Sequence, residues 1–406
     1  MSGKPINLQT GVVPADLPRL LRLLLGMASD AKVGTLDLTL PDGRTLRWTG
    51  CEQGPHADLT IHNFRVARRY LMGGQIGFAE AYMDGDWDSR NLAGLLEFFA
   101  RNHEAIEAAY EGSAIAGAVR RAWHVLRANT RRGSRRNIAY HYDLGNSFYQ
   151  TWLDPTMTYS SAVFAEPSQP LDRAQENKYR LVAEKLSPSP GQRVLEIGCG
   201  WGGFATHLAK AYGCSVTAIT VSKAQAEYAA QRVQREGLGE KVAVKLVDYR
   251  DMRERFDAIA SIEMFEAVGE RYWPTFFGAV RDCLKPGGRA ALQVITIGDR
   301  FFESYRRNVD FIQRYIFPGG MLPSPTVLAR EIGRAGLSLM RQDFFGQHYA
   351  RTLADWQGRF QAAWPEIAKM NFDERFKRMW EYYLAYCEAG FRAGSIDVGQ
   401  VAIARS

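Results

Sequence analysis

The chain of 406 residues is 46% hydrophobic and 23% charged, enough apolar material for the cores of two or three domains of a globular, soluble protein. Its cysteines, Cys51, Cys199, Cys214, Cys283 and Cys387, are odd in number and free of CxxC spacing, which speaks against a disulfide framework and against any metal site. A formal net charge of +7 suits an anionic partner: nucleic acid, an anionic lipid surface or an acidic substrate.

The opening MSGKPINLQT lacks the basic-then-apolar layout of a secretory signal, so a cytosolic protein is expected. The apolar run Leu17 to Met27 is broken by Arg19 and Arg22 and falls short of the roughly 20 residues a bilayer-spanning helix needs. Residues 35–48, TLDLTLPDGRTLRW, alternate Leu36, Leu38, Leu40 and then Leu46 and Trp48 around a PDG turn, which predicts a β-hairpin. Helical spacing returns near Asn63, so residues 1–110 are expected to form a small α+β domain. Residues 111–139 read as an Arg-rich connector. Arg120, Arg121, Arg127, Arg131, Arg132, Arg135 and Arg136 lie there with Trp123 and His124, and no acidic residue occurs between Gly112 and Tyr142. A basic segment with an interfacial aromatic fits an anionic membrane surface, each basic group contributing about 1 kcal/mol. A solvated linker is the plain alternative.

From about Pro190, short apolar runs alternate with helical patterns: VLEI, SVTAITV, KVAVKLVDY, FDAIASIEMF and PGGRAALQVITI, with further strand candidates near 338–345 and 396–404. Such alternation predicts an α/β fold with a doubly wound parallel sheet, whose ligand lies at the carboxyl ends of the strands. Residues 194–210, VLEIGCGWGGFATHLAK, read as strand, tight turn and helix. Glycines serve that turn because they tolerate positive φ and let backbone approach a ligand closely. The second strand ends in Ala218 to Ser222 with no carboxylate for a ribose, which argues against a dinucleotide. The absence of GKS or GKT argues against a P-loop. Glu196 two residues before Gly198, with GxGxG following, instead resembles S-adenosylmethionine methyltransferases. In that setting Asp248 and Tyr249, just after the third strand, are placed to cover an adenine by hydrogen bonding and stacking; a packed aromatic at a strand end is the other reading of Tyr249. Glu266 follows the apolar strand SIEMF at its carboxyl end and is the first catalytic candidate, although a helix-start carboxylate would look the same. Glu263 is a weaker one.

The blocks YHYDLGNSFYQTWLDPTMTYSSAVF (140–164), VLEIGCGWGGFA, FDAIASIEMFEAVG and YIFPGGMLPS (315–324) together resemble, in order and spacing, the cyclopropane-fatty-acyl-phospholipid synthase family. GFAEAYMDGDW (77–87) is similar to that family's amino-terminal domain. The resemblance implies a class I methyltransferase (Rossmann-like) sheet over residues 140–406, with an acyl-channel insertion near 299–325, and a smaller lipid-contacting amino-terminal domain. It implies transfer of a one-carbon unit from S-adenosylmethionine to the cis double bond of an unsaturated phospholipid acyl chain, at the inner face of the membrane. By resemblance, Tyr159 and Ser160 flank the cofactor, Gly198 and Gly200 meet its methionine part, Glu196 offers its carboxylate to cationic or hydroxyl groups nearby, Thr220 and Gln225 approach the ribose, and Asp248 and Tyr249 hold the adenine.

The family also holds a bicarbonate ion, as the base that removes a proton, through a Glu, a His, a Tyr and a Cys. Glu266 and Tyr349 match two of these. Ser161 stands where the family has Cys in YSCA, and Gln293 where it has His. Both side chains can hydrogen-bond an anion, but neither supplies a thiol or an imidazole. That favours the alternative of a methyl-branched or methylene chain without ring closure. An RNA methyltransferase is a more distant alternative, nucleic acid not being the expected partner, and the oligomeric state is left open.

Overall fold

A computed structural model describes residues 6–7, 13–28, 31–106 and 144–406; the Arg-rich connector, His141 and Tyr142 lie outside the described residues. The chain forms two compact units. One takes the described residues up to 106 together with Asp310–Ile312 and Asn371–Ala393, and the other takes the remainder.

Period-two alternation builds the sheet of the first unit. Its strands are β1 (Ile6–Asn7), β2 (Val33–Thr39), β3 (Thr45–Thr49), β4 (Glu52–Ile61) and β5 (Trp87–Asp88), in the order β1-β3-β2-β4-β5. The expected hairpin is β2 and β3: Leu36 faces Trp48 and Leu38 faces Leu46, all four buried, with Gly43 turning the chain at φ +87°. Helix α1 (Arg19–Ala28) inserts Leu21 and Leu25, one turn apart. Helices α2 (Arg65–Met83) and α3 (Leu92–Arg101) follow, the latter capped by Asn91, whose side chain accepts from the Gly94 N–H at 3.0 Å. Helix Glu374–Ala393 packs with α2 and α3 in this same unit, a grouping that a boundary at residue 140 does not have. Its sequence shows an apolar stripe; what covers the stripe is a tertiary matter.

The second unit is a seven-stranded sheet of β6 (Arg193–Ile197), β7 (Ser215–Thr220), β8 (Val242–Leu246), β9 (Phe256–Ile262), β10 (Leu284–Ile297), β11 (Ser338–Phe344) and β12 (Ile396–Ala404), ordered β11-β12-β10-β9-β6-β7-β8. The ladders joining β6 to β10 are parallel, as expected of the doubly wound sheet, and β12 runs antiparallel to both β10 and β11. An apolar strand reads the same in either direction, and its sense is set by the return of the chain. Strand order reverses beside β6, which puts the crevice of a doubly wound sheet at that strand's carboxyl end.

Around it pack α4 (Gly145–Trp152), α5 (Leu171–Leu186), α6 (Gly203–Tyr212), α7 (Lys223–Arg235), α8 (Trp273–Cys283), α9 (Asp299–Arg307), α10 (Pro325–Arg334) and α11 (Gly346–Ala368). Leu195 and Ile197 join a core with Phe256, Phe276 and Phe302. Val194 and Val216 join another with Tyr179 and Phe204. Burying each such large side chain contributes roughly 1.5–3 kcal/mol. Within the expected acyl-channel insertion near 299–325 the chain forms α9 and a separate π-helical turn, Ile312–Ile316.

Candidate active site

The glycine turn is tied to the neighbouring strand, because Gly198 and Cys199 both donate their N–H to the Ile219 carbonyl at 3.0 Å. Gly198, Gly200 and Gly202 all hold positive φ, at +81°, +52° and +82°. Their surroundings differ. A Cβ on Gly198 would lie 2.6 Å from Met264 Cγ, and one on Gly203 2.3 Å from the Tyr179 hydroxyl, so those positions are small for packing. A Cβ on Gly200 would meet nothing within 4 Å, so the backbone there faces open space. Beneath the turn, Glu196 is buried, with Oε2 lacking any hydrogen-bond partner, and burial pushes its carboxyl up to about 8.

At the end of β7, Thr220 donates its hydroxyl to Gln225 Oε1 at 2.9 Å and accepts from the Ser222 N–H at 3.1 Å. Asp248 caps the turn after β8 by accepting from the Arg250 N–H at 2.9 Å, and it also takes Nε and Nη2 of Arg250 at 2.9 and 2.6 Å. Those bonds hold its carboxyl below the usual range. Tyr249 is half-buried and set edge-on to Phe276 at 5.4 Å. Tyr159 belongs to an aromatic group, with ring centroids 5.3 Å from Tyr149, 5.7 Å from Trp152 and 5.2 Å from Trp356. Trp201 of the glycine turn joins it through Tyr149 at 5.1 Å and is anchored by its N–H to Asn146 Oδ1 at 2.8 Å.

Ser160 accepts from the ammonium of Lys178 at 2.6 Å. Lys178 is fully buried, and burial lowers it to about 8 against the opposing pull of Glu263, Asp154 and Glu196. Sequence reading missed this lysine. The available signal was its place on α5, four residues from each of the buried Ala174 and Val182, on the helix face turned inward.

Three of the four sequence candidates for proton removal converge, but on Glu263 rather than on Glu266. Oε1 of Glu263 accepts from the Gln293 amide at 2.7 Å and from the Ser161 backbone N–H at 2.8 Å, and Oε2 accepts from the Tyr349 hydroxyl at 2.6 Å. Ser161 contributes its backbone alone, since its hydroxyl donates to the Ala162 carbonyl at 3.0 Å. Gln293 is itself held by the Gln400 amide, which donates to Oε1 at 3.1 Å. Burial raises the Glu263 carboxyl, while Lys178 and the three donors oppose the rise. Glu263 sits at φ +48°, a left-handed conformation that costs a non-glycine residue roughly 1–2 kcal/mol and is retained where surroundings over-determine it. Glu266 accepts from the Ile295 N–H at 2.5 Å through Oε1, while Oε2 is buried without a partner. Burial and the neighbouring Glu263 push it up to about 8. The site thus collects the buried Glu196 of β6, the half-buried Glu263 and Glu266 beyond the carboxyl end of β9, and the buried ammonium of Lys178 from α5. Such groups are placed to exchange protons near neutral pH.

Residues 129–401 match the family described as mycolic acid cyclopropane synthetase. A tuberculostearic acid methyltransferase of Mycobacterium tuberculosis is 39% identical over 91% of this chain and 88% of its own length. The cyclopropane-fatty-acyl-phospholipid synthase of Escherichia coli is 39% identical over 86% of this chain and 88% of its own. Among solved structures, the mycolic acid cyclopropane synthase CmaA1 complexed with SAH and CTAB shares 32% identity and a TM-score of 0.62, over 66% of this chain and 98% of its own.

Proposed function

The chain belongs to the mycolic acid cyclopropane synthetase family, and we propose from that premise that it delivers a one-carbon unit to the cis double bond of an unsaturated acyl chain in a membrane phospholipid. It is an S-adenosylmethionine-dependent methyltransferase of fatty acyl lipids with a class I, Rossmann-like fold. The observation carrying the reading is the open face of Gly200 in the glycine turn at the switch point of the sheet, a turn whose Trp201 joins the aromatic group of Tyr159 through Tyr149. Gly200 would receive the methionine end of the cofactor, with Thr220 and Gln225 toward the ribose and Tyr249 against the adenine. Bound there, S-adenosylmethionine supplies a methyl group on a cationic sulfur.

An alkene is a weak nucleophile, so holding its π bond in line with that methyl removes several kcal/mol from the barrier. The cation left on the chain gains roughly 0.5–2 kcal/mol from each well-placed aromatic face. Tyr159, Trp356 and Tyr349 form a run of rings leading toward Glu263, with centroids 5.2 and 6.0 Å apart. A ring-free, methyl-branched or methylene product is the second reading, favoured by the absence of a thiol at Ser161 and of an imidazole at Gln293.

Among the described residues no helix is long and apolar enough to cross a membrane. Docking on an anionic bilayer through the Arg-rich connector is part of the proposal, supported by its seven arginines and its lack of acidic residues between Gly112 and Tyr142. The test incubates purified protein and methyl-labelled S-adenosylmethionine with vesicles of cis-monounsaturated phosphatidylglycerol or phosphatidylcholine. Label should enter the lipid, faster on the anionic vesicles. Charge reversal of Arg131, Arg132, Arg135 and Arg136 should abolish that preference while cofactor affinity stays unchanged. NMR of the product separates upfield ring protons from olefinic ones. Lipid that stays unlabelled on both vesicles, or label entering RNA instead, would overturn the reading.

A further inference from the structure

The bicarbonate ion implied by resemblance would need hydrogen-bond donors beside the reacting carbon. Those available at Gln293, Ser161 and Tyr349 are already engaged. All three point at the carboxylate of Glu263, two on Oε1 at 2.7 and 2.8 Å and one on Oε2 at 2.6 Å. A carboxylate and a bicarbonate present the same planar pair of oxygens sharing one negative charge, so the glutamate side chain satisfies the cradle an external ion would fill. A further anion would also meet the half-buried carboxyls of Glu263 and Glu266, with Lys178 as the buried countercharge. The residues present do not fit bicarbonate.

Glu263 is also built in at a backbone cost. Its φ of +48° lies in the region that favours glycine, and its N–H is fixed to the Gln293 carbonyl at 2.8 Å, so the strand that supplies the amide donor also sets the main chain that carries the carboxylate. Gln400 orients Gln293 from the far side, leaving its amide to face Glu263. The position is the carboxyl end of β9, next to Ser161 and one residue from the Ser160–Lys178 pair.

We propose that Glu263 is the protein's own proton acceptor in the lipid methyl transfer, replacing bicarbonate; this rests on the lipid-methylating function. The π electron pair of the alkene forms the new C–C bond to the methyl carbon, and the S–C bonding pair stays on sulfur, which becomes neutral. The carbocation on the adjacent chain carbon is quenched when a C–H pair closes onto it, and that proton passes to the Glu263 carboxylate, which becomes a carboxylic acid. The proton leaves to water after product release. No oxidant or further reactant is consumed. Of the two carboxyls Glu263, with three donors and Lys178 nearby, is the better solvated for negative charge, whereas Glu266 has a single backbone donor and one oxygen without a partner.

The test uses the full-length protein, with Glu263→Gln and Glu263→Gly, in buffer stripped of carbon dioxide or supplied with bicarbonate. Melting curves check folding; the Gln variant keeps the side-chain shape and the Gly variant relieves the positive φ. Wild-type lipid methylation should be indifferent to bicarbonate. Glu263→Gln should bind S-adenosylmethionine as wild type does by calorimetry yet lose at least about 100-fold in turnover, the scale of a positioned base. Glu263→Gly should bind 13C-bicarbonate by NMR and regain rate as bicarbonate is added. A wild-type rate that collapses without bicarbonate and returns with it, or a Glu263→Gln variant as fast as wild type, overturns the proposal. If wild-type protein methylates no unsaturated lipid, the functional reading fails instead. The 13C-bicarbonate titration then still decides the cradle: binding to wild type refutes Glu263 as its occupant, and binding to Glu263→Gly alone upholds it.

Discussion

A Cβ on Gly198 would sit 2.6 Å from Met264 Cγ, while one on Gly200 would meet nothing within 4 Å. Both residues hold positive φ, so an alanine at either costs roughly 1–2 kcal/mol in backbone strain. Only Gly198→Ala adds a clash, bringing its total to roughly 2–4 kcal/mol. Gly200→Ala should therefore melt within a few degrees of wild type and yet weaken S-adenosylmethionine binding at least about tenfold, a 1.4 kcal/mol effect. Wild-type affinity in Gly200→Ala, measured by calorimetry, would place the cofactor elsewhere. The motif announces glycines without saying which serve packing and which serve a ligand, since that depends on Met264 and Tyr179, far away in the sequence.

At the level of elements, the first unit is pinned by one side chain. Asn102, at the carboxyl end of α3, is buried; its Oδ1 accepts from the N–H groups of Lys32 and Val33 at 2.7 and 2.9 Å, and its amide donates to the carbonyls of Val33 and Phe98, each at 2.9 Å. It thus closes the end of α3 and fastens the start of β2. Asn102→Ala strands these groups and should cost roughly 2–4 kcal/mol, read as a lower denaturant midpoint with an unchanged slope. Asn102→Asp keeps the acceptors but sets a buried carboxylate oxygen against the Val33 and Phe98 carbonyls, and should cost no less. An unaltered midpoint in Asn102→Ala would show that water replaces the side chain. Spacing revealed the hairpin at 35–48 and the helices around it, because period is local. The company kept by helix Glu374–Ala393 and the direction of β12 were not legible, because an amphipathic stripe or an apolar strand does not name its partner.

Across the whole molecule, buried titratable groups make stability depend on pH. Glu196 and Glu266 are raised from 4.5 to about 8. The unfolded chain releases both protons near 4.5 and the folded protein keeps them to about 8, so stability falls as pH rises through that window. Lys178, lowered from 10.5 to about 8, acts in the opposite sense above 8, where the thiols of Cys199, Cys214 and Cys283, raised by burial, offset it. Scanning calorimetry from pH 5 to 8 should show stability descending for the unit holding the seven-stranded sheet. Glu196→Gln and Glu266→Gln should each flatten the descending limb, and a flat wild-type profile would refute the raised carboxyls. Carboxylates held low by arginine, such as Asp248, change stability only below their ordinary range and leave this limb untouched.

The sequence by itself determined the alternation of strands and helices, the glycine turn after β6, and the family that the spaced blocks identify. These follow from period, from steric freedom at glycine and from motif order, all properties of neighbouring residues. Tertiary structure alone decided that Ser161, Gln293 and Tyr349 turn toward Glu263 rather than Glu266, and that Lys178 sits buried against Ser160. Hydrogen-bond direction and burial arise from residues far apart in the chain meeting at the end of one sheet, where the protonation of a carboxyl depends on which donors reach it first.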